Sequence, residues 1–139
     1  GSESKVEEAK SYGAHNVVIA NDIDAIKKLK KSFDYLFFTG HAFKGKWGLF
    51  MNTLKPKGRL HFLGLLPEPL NITMFHMLRG QNSVSASPVG GPEAMKKMVE
   101  FCARHKIIPE VEFFKMSEIN EAIAHLKSGK ARYRIVLEN

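Results

Sequence analysis

The chain has 139 residues, of which 44% are hydrophobic and 25% charged, and these values are ordinary for one globular domain. The net charge is +7, but the lysines alternate with acidic residues on polar helix faces, which favours a solvated surface over a nucleic-acid site. No apolar run is long enough to span a bilayer, and the single cysteine, Cys102, excludes an internal disulfide and a cysteine-based zinc cluster. We therefore expect a soluble, cytoplasmic protein with no nucleic-acid or membrane partner.

The first part of the chain alternates between helix and strand signals. A capping-box spacing that begins at Ser4 predicts a helix over 2–12. A short buried strand is expected at 16–20, and Asp22 is the predicted N-cap of a second helix. The almost continuous apolar run 33–38 is typical of a strand that is covered on both faces.

The central part of the chain is organised around one stretch, Leu54–Pro67. Apolar residues at helical spacing predict a helix over 47–54, and the proline and glycine within 55–58 predict a turn after it. A strand is then expected at Arg59–Leu63, and the chain leaves it at Gly64. In open α/β sheets the carboxyl ends of the strands are where ligands bind, so this end of the strand is the expected ligand edge.

The same alternation continues to the C-terminus. Further helices are expected at 73–78, from Pro92, and between the cap Ser117 and Gly129, which lies just past the helix end, and further strands are expected at 83–87, 110–115 and 133–137. Strands that alternate with helices in this way predict an α/β fold with a mainly parallel sheet.

Most residue types that carry chemistry are isolated from one another in the sequence. There is no Gly-x-Gly-x-x-Gly turn after a strand and no Walker loop, so the usual phosphate-binding turns are missing. The six histidines have no partner at metal-ligand spacing, which argues against a metal site built from local sequence. His61 alternates with apolar residues on a strand, and we expect it to be a hydrogen-bonded structural histidine. Cys102 is expected in a helix core.

Several segments in one register resemble the medium-chain, zinc-dependent alcohol dehydrogenases, and within them the NADP-dependent branch that includes cinnamyl alcohol dehydrogenases. The segments that carry the resemblance are Ser2–His15, Phe33–Thr39, Leu54–Pro67, Ser83–Gly90, Phe101–His105 and Arg132–Leu137. The implied fold class is a partial Rossmann-like, layered α/β fold with a mainly parallel sheet that lacks the first two strands and the glycine-rich turn. Residues 1–109 would form the partial dinucleotide-binding domain, and 110–139 would return to the catalytic domain of the full-length family.

The resemblance also implies where NADP would lie. It places Ser2 and Lys5 at the 2′-phosphate, Thr39, Gly64 and Leu65 along the nicotinamide side, Ser85 and Ser87 near the carboxamide, and Arg134 near the cofactor phosphates. Two positions depart from the family, since Gly40 stands where Val is usual and Ala86 where Gly is usual. These departures predict an altered nicotinamide pocket.

The family's zinc ligands and proton-relay residues have no counterpart in these residues. The leading hypothesis is therefore a C-terminal part of an NADP(H)-dependent, zinc-type alcohol or aldehyde oxidoreductase. On its own it would have no catalytic or metal-binding residues, would be inactive, and would bind NADP weakly or not at all.

The alternative is a standalone, non-catalytic module that forms homodimers through exposed sheet edges. The family's central first strand is missing, so the strand at 35–38 would have an unpaired edge. Either the Val17–Ile19 strand moves in beside it, or a second chain supplies the pairing. A third reading, a nucleic-acid binder, rests on net charge alone, since the sequence has no recognition motif.

Overall fold

The computed structural model describes residues 5–40 and 45–139. The chain divides into two compact units, residues 1–89 and 90–139, each with a parallel sheet of its own. The division predicted from the sequence, between 109 and 110, is of a different kind: it marks where the chain would return to the family's catalytic domain. It remains a prediction. The predicted N-cap Ser4 lies outside the described residues.

The first unit combines short helices with a three-stranded sheet. Its helices are α1 (Val6–Ser11), α2 (Ile23–Lys28), α3 (Trp47–Met51) and α4 (Met74–Leu78), and its strands are β1 (Phe33–Phe38), β2 (Leu54–Phe62) and β3 (Ser83–Ala86). The strands are parallel in the order β1-β2-β3, which confirms the α/β class and the parallel sheet. Asp22 is the N-cap of α2 as predicted, because its Oδ1 accepts a hydrogen bond of 2.9 Å from the Ala25 N–H.

One face of this sheet carries the hydrophobic core. The buried residues that cluster there are Trp47, Met51, Leu54, Leu60 and Phe62. The Trp47 ring lies edge-on to the rings of Phe38 and Phe62, with centroid distances of 5.2 Å in both cases. This arrangement confirms the predicted helical stripe for Trp47 and Met51, which α3 presents to the inner face of β2, whereas Leu54, the last residue of the predicted stripe, belongs to β2 itself.

The other face of β1 is exposed, and the prediction of a strand covered on both faces is wrong. Tyr35 is 61% exposed and Phe37 is 63% exposed, while Leu36 and Phe38 pack against the core. The residues alternate because successive side chains of a strand point to opposite faces. β1 also lies at the end of the strand order, so its outer edge has no ladder partner among the described residues.

The predicted strand at 16–20 is not formed. Residues 16–19 have no strand structure, and the Asp22 N–H donates to the Ile19 carbonyl in a turn. The hypothesis that Val17–Ile19 moves in beside β1 is therefore wrong for this structure. Three half-buried apolar residues without a neighbouring strand cannot satisfy their backbone groups by a ladder.

The strand β2 begins at Leu54 rather than at the predicted Arg59, and α3 ends at Met51. The pairing of β1 with β2 shifts register between Phe33 and Tyr35, so residues 55–58 form an irregular insertion in the ladder. Asn82 provides hydrogen bonds to the backbone of this insertion, because its Nδ2 donates to the Lys55 and Gly58 carbonyls at 2.7 and 3.2 Å. A side chain that is distant in the sequence thus stabilises strand structure in a segment whose composition predicts a turn.

The second unit is built on a two-stranded parallel sheet. Its elements are α5 (Pro92–His105), β4 (Glu112–Lys115), a 3₁₀ turn (Met116–Glu118), α6 (Ile119–Lys127) and β5 (Ile135–Glu138). Pro92 occupies the first turn of α5 as predicted, whereas the predicted cap Ser117 lies within the 3₁₀ turn and α6 starts later. No helix of the described ranges is both long and apolar enough to cross a membrane.

Glu112 connects β4 to the rest of the second unit. Its Oε1 accepts a hydrogen bond from the backbone N–H of Arg132, and its Oε2 lies 2.7 Å from His125 Nε2. The Arg132 N–H, followed by the hydrogen bond and charge of His125, holds the pKa of Glu112 below its usual value, although desolvation acts in the opposite direction.

We expect the second unit to become less stable as the pH decreases, because Glu112 becomes protonated. Because the folded pKa is lowered, the stabilising contribution is present above the ordinary carboxyl pKa and is lost as the pH falls through the folded value. Urea unfolding followed by far-UV circular dichroism between pH 7 and 3 measures this. The Glu112→Gln variant should lose part of the acid dependence, whereas Glu121→Gln, an exposed carboxylate on α6, should retain it. Identical pH profiles for the two variants would contradict the assignment.

Candidate functional site

The carboxyl ends of three parallel strands meet at one edge of the first unit. Thr39 follows β1, Gly64 lies two residues after β2, and Ser87 follows β3 directly. The strands are hydrogen-bonded neighbours, so these positions share one edge of the sheet. Such an edge is where open α/β sheets bind ligands, and we call it the strand-end edge.

Gly64 packs against the backbone that follows β1. A Cβ built on Gly64 would lie 2.1 Å from the Gly40 carbonyl oxygen and 3.1 Å from the Thr39 carbonyl carbon. The Phe38 carbonyl accepts hydrogen bonds from the N–H groups of Leu63 and Gly64, at 2.9 and 3.3 Å. The structure therefore brings Thr39 and Gly64 together, and it requires glycine at position 64 for this approach.

His61 connects two of the predicted residues, Ser85 of β3 and Ser87, which follows β3. Its Nδ1 lies 2.8 Å from Ser85 Oγ and its Nε2 lies 2.9 Å from Ser87 Oγ. The Ser87 N–H also donates to the Phe62 carbonyl at 3.2 Å. The prediction of a hydrogen-bonded histidine is confirmed. Its partners were missed because they depend on the register of β2 with β3, in which His61 pairs directly with Ser85.

The remaining predicted site residues are more dispersed. Leu65 is 83% exposed next to Gly64, and Lys5 is exposed at the N-terminus of α1. Ser2 lies outside the described residues. Arg134 belongs to the second unit, where its carbonyl accepts a hydrogen bond of 2.9 Å from the Glu112 N–H. The cofactor-binding role of all of these residues remains a prediction.

The described residues do not fit a zinc site. Across residues 5–40 and 45–139, no three His, Cys, Asp or Glu side chains lie together in a way that could hold a metal ion. Cys102 is half-buried within α5. Zinc chemistry therefore has no ligand set in this part of the structure.

The sequence matches one family model and a set of curated enzymes. The model of the zinc-binding dehydrogenases matches residues 1–104. The aldehyde reductase AdhA of Synechocystis sp. is 46% identical over 135 residues, which cover 97% of this chain and 40% of that enzyme. Cinnamyl alcohol dehydrogenase 3 of Arabidopsis thaliana is 35% identical, over 99% of this chain and 36% of the enzyme. The chain thus spans about two fifths of the length of these relatives.

Solved structures give the same result for the fold. The cinnamyl alcohol dehydrogenase SbCAD4 of Sorghum bicolor superposes with a TM-score of 0.86 at 26% identity, over 98% of this chain and 38% of that chain. The protein CAD of Helicobacter pylori, solved in complex with NADP(H), superposes with a TM-score of 0.61 at 27% identity, over 81% of this chain and 33% of that chain. The similarity supports a Rossmann-like arrangement of the strands.

Proposed function

This chain belongs to the zinc-binding dehydrogenase family, and on that basis we propose that it is the C-terminal cofactor-domain part of an NADP(H)-dependent alcohol or aldehyde oxidoreductase. The single observation that carries the proposal is the close approach of Gly64 to the Thr39–Gly40 backbone at the strand-end edge. This approach forms a continuous backbone surface at the place where the fold binds dinucleotides. One of the similar structures was solved with NADP(H), which supports the choice of cofactor.

The residues of the strand-end edge suit the nicotinamide end of that cofactor. Ser85 and Ser87 carry hydroxyls that His61 holds in fixed positions, and hydroxyls can both donate to and accept from a carboxamide. Leu65 and Thr39 would cover one side of the ring. NADPH supplies the hydride when it is bound. Lys5 and Ser2 would meet the 2′-phosphate, and Arg134 the other phosphates.

We further propose that these residues do not catalyse the reaction alone. The described residues offer no ligand set for zinc, and none of the predicted site residues has a catalytic role in the proposal. The glycine-rich phosphate turn is also missing from the sequence, so NADP should bind weakly and mainly through its nicotinamide end.

The experiment combines saturation-transfer NMR with an activity assay. We expect saturation transfer to the nicotinamide protons of NADPH, with weaker transfer to the adenine protons, and no reduction of cinnamaldehyde by NADPH in the presence of zinc. Ser85→Ala should weaken the nicotinamide signals, whereas Ser11→Ala, at the end of α1, should not. No transfer to NADPH would overturn the binding proposal. Zinc-dependent reduction of the aldehyde would overturn the proposed inactivity.

A homodimeric, non-catalytic module is the second candidate, and the exposed edge of β1 favours it. β1 ends the strand order, and its outward aromatic residues Tyr35 and Phe37 stack with a centroid distance of 6.3 Å. Pairing of β1 with β1 of a second chain would satisfy the backbone groups of the open edge and bring the outward aromatic side chains of the two chains next to each other across the new strand pair. Sedimentation velocity should then show a dimer that Phe37→Lys dissociates and Phe113→Lys, a similarly exposed phenylalanine of β4, does not. A monomer at all concentrations would exclude this candidate.

A further inference from the structure

A cleft separate from the strand-end edge opens beside α2, α3 and α4 of the first unit. Its volume is about 1130 Å³, and Ile23, Trp47 and Leu49 contribute to its apolar wall. Of the residues predicted to bind NADP, the seven that the structure describes do not line it. A concave site with an apolar wall and a few polar groups is the usual form of a small-molecule site, and this one is independent of the proposed cofactor edge.

The polar side of the cleft is cationic. Lys27 and Lys46 both line it, and no acidic residue appears among its described lining residues. Lys27 also pairs with Asp24 at 2.9 Å, on the exposed side of α2. Two lysine side chains beside an apolar wall favour an anion with an apolar body over a neutral or cationic ligand.

A histidine is held in a fixed position in the same cleft. The Nδ1 atom of His76 lies 2.8 Å from Thr73 Oγ1, so the ring orientation is set by α4 and the residue before it. On the other side, a Cβ built on Gly48 would lie 2.3 Å from His76 Nε2. The ring can therefore approach α3 only because position 48 is glycine.

We propose that this cleft binds a small aromatic phosphate monoester. The aromatic body would lie against the wall that includes Trp47, and the phosphate would face Lys46, Lys27 and His76. The amide of Asn71, which also lines the cleft, adds a donor for a phosphate oxygen. A dianion gains charge-assisted hydrogen bonds from both lysines, whereas a neutral alcohol with the same ring gains none of them.

The test uses the only tryptophan of the chain, Trp47, as the reporter. Phenyl phosphate should produce a saturable change in its fluorescence, and inorganic phosphate and phenol should each bind more weakly, because each lacks half of the recognised chemistry. Lys46→Gln should weaken phenyl phosphate binding about tenfold, whereas Lys10→Gln, on α1 outside the cleft, should leave it unchanged. Gly48→Ala, which displaces His76, should also weaken it.

Several outcomes would overturn the proposal. A fluorescence change that never saturates, or equal affinities for Lys46→Gln and Lys10→Gln, would show that the cleft does not recognise the phosphate. Equal binding of phenol would show that the charge of the ligand is irrelevant. Competition between NADPH and phenyl phosphate would show that the cleft is not a separate site. Failure of NADPH to bind would leave this test unaffected, because it would concern only the strand-end edge.

Discussion

Replacement of Met51 by alanine should lower the free energy of unfolding of the first unit by about 2–5 kcal/mol, the usual cost of truncating a buried Met side chain. Met51 is only 2% exposed and lies between α3 and the inner face of β2. The truncation leaves a cavity that the rigid sheet cannot fill, so the lost contacts are not recovered. Urea unfolding followed by Trp47 fluorescence measures the effect within this unit.

Met74→Ala is the matched control for this substitution. Met74 begins α4 and is 65% exposed, so the same chemical change removes little buried surface. Its effect should stay within about 0.5 kcal/mol of zero, as is usual for surface substitutions. A loss of similar size in both variants would mean that α3 does not form the core described above.

Replacement of Gly64 by alanine should disturb both the stability and the binding surface of the strand-end edge. The new Cβ would lie 2.1 Å from the Gly40 carbonyl oxygen, which is a backbone atom and cannot rotate away. The two segments must separate, at a cost of about 1–3 kcal/mol, as in other overpacked sites. We expect a lower urea midpoint and weaker saturation transfer to the nicotinamide protons of NADPH.

Gly91→Ala separates this steric effect from a general effect of removing glycine. A Cβ on Gly91 has no atom within 4 Å, and the residue precedes α5 in an ordinary extended conformation. Alanine is a poorer N-cap than glycine, but it also lowers the conformational entropy of the unfolded chain, so the two effects oppose each other and the net change should stay within about 0.5 kcal/mol of zero. If Gly64→Ala were as mild as Gly91→Ala, the close approach would not constrain the edge.

Local signals in the sequence predicted most elements of the fold, and the failures have a common cause. Asp22 and Pro92 begin helices as expected, because caps and first-turn prolines act through neighbouring residues. The predictions of a strand at 16–20 and of a turn at 55–58 were wrong, because the structure of both segments depends on residues far along the chain. The first segment has no adjacent strand, whereas Asn82 holds the second within β2.

The candidate site shows the same limit. The resemblance placed Thr39 and Gly64 near each other, and the parallel sheet brings them together. The hydrogen bond between His61 and Ser85 depends on the register of β2 with β3. The alternation of side chains along a strand does not by itself determine that register. The cleft beside α3 was not predicted, since no motif joins Lys46 to His76 and only the packing of helices does so.

The bridge formed by His61 also determines which serine can act as a donor toward a ligand. A neutral imidazole has one nitrogen that donates a hydrogen bond and one that accepts. One serine oxygen therefore accepts from the ring N–H, while the hydroxyl of the other serine donates to the unprotonated ring nitrogen. Only the accepting serine keeps its hydrogen for an outside carbonyl. A shift of the ring tautomer exchanges these roles between Ser85 and Ser87. His61, on the neighbouring strand β2, therefore determines which serine donates at the edge, although its own side chain need not contact the ligand.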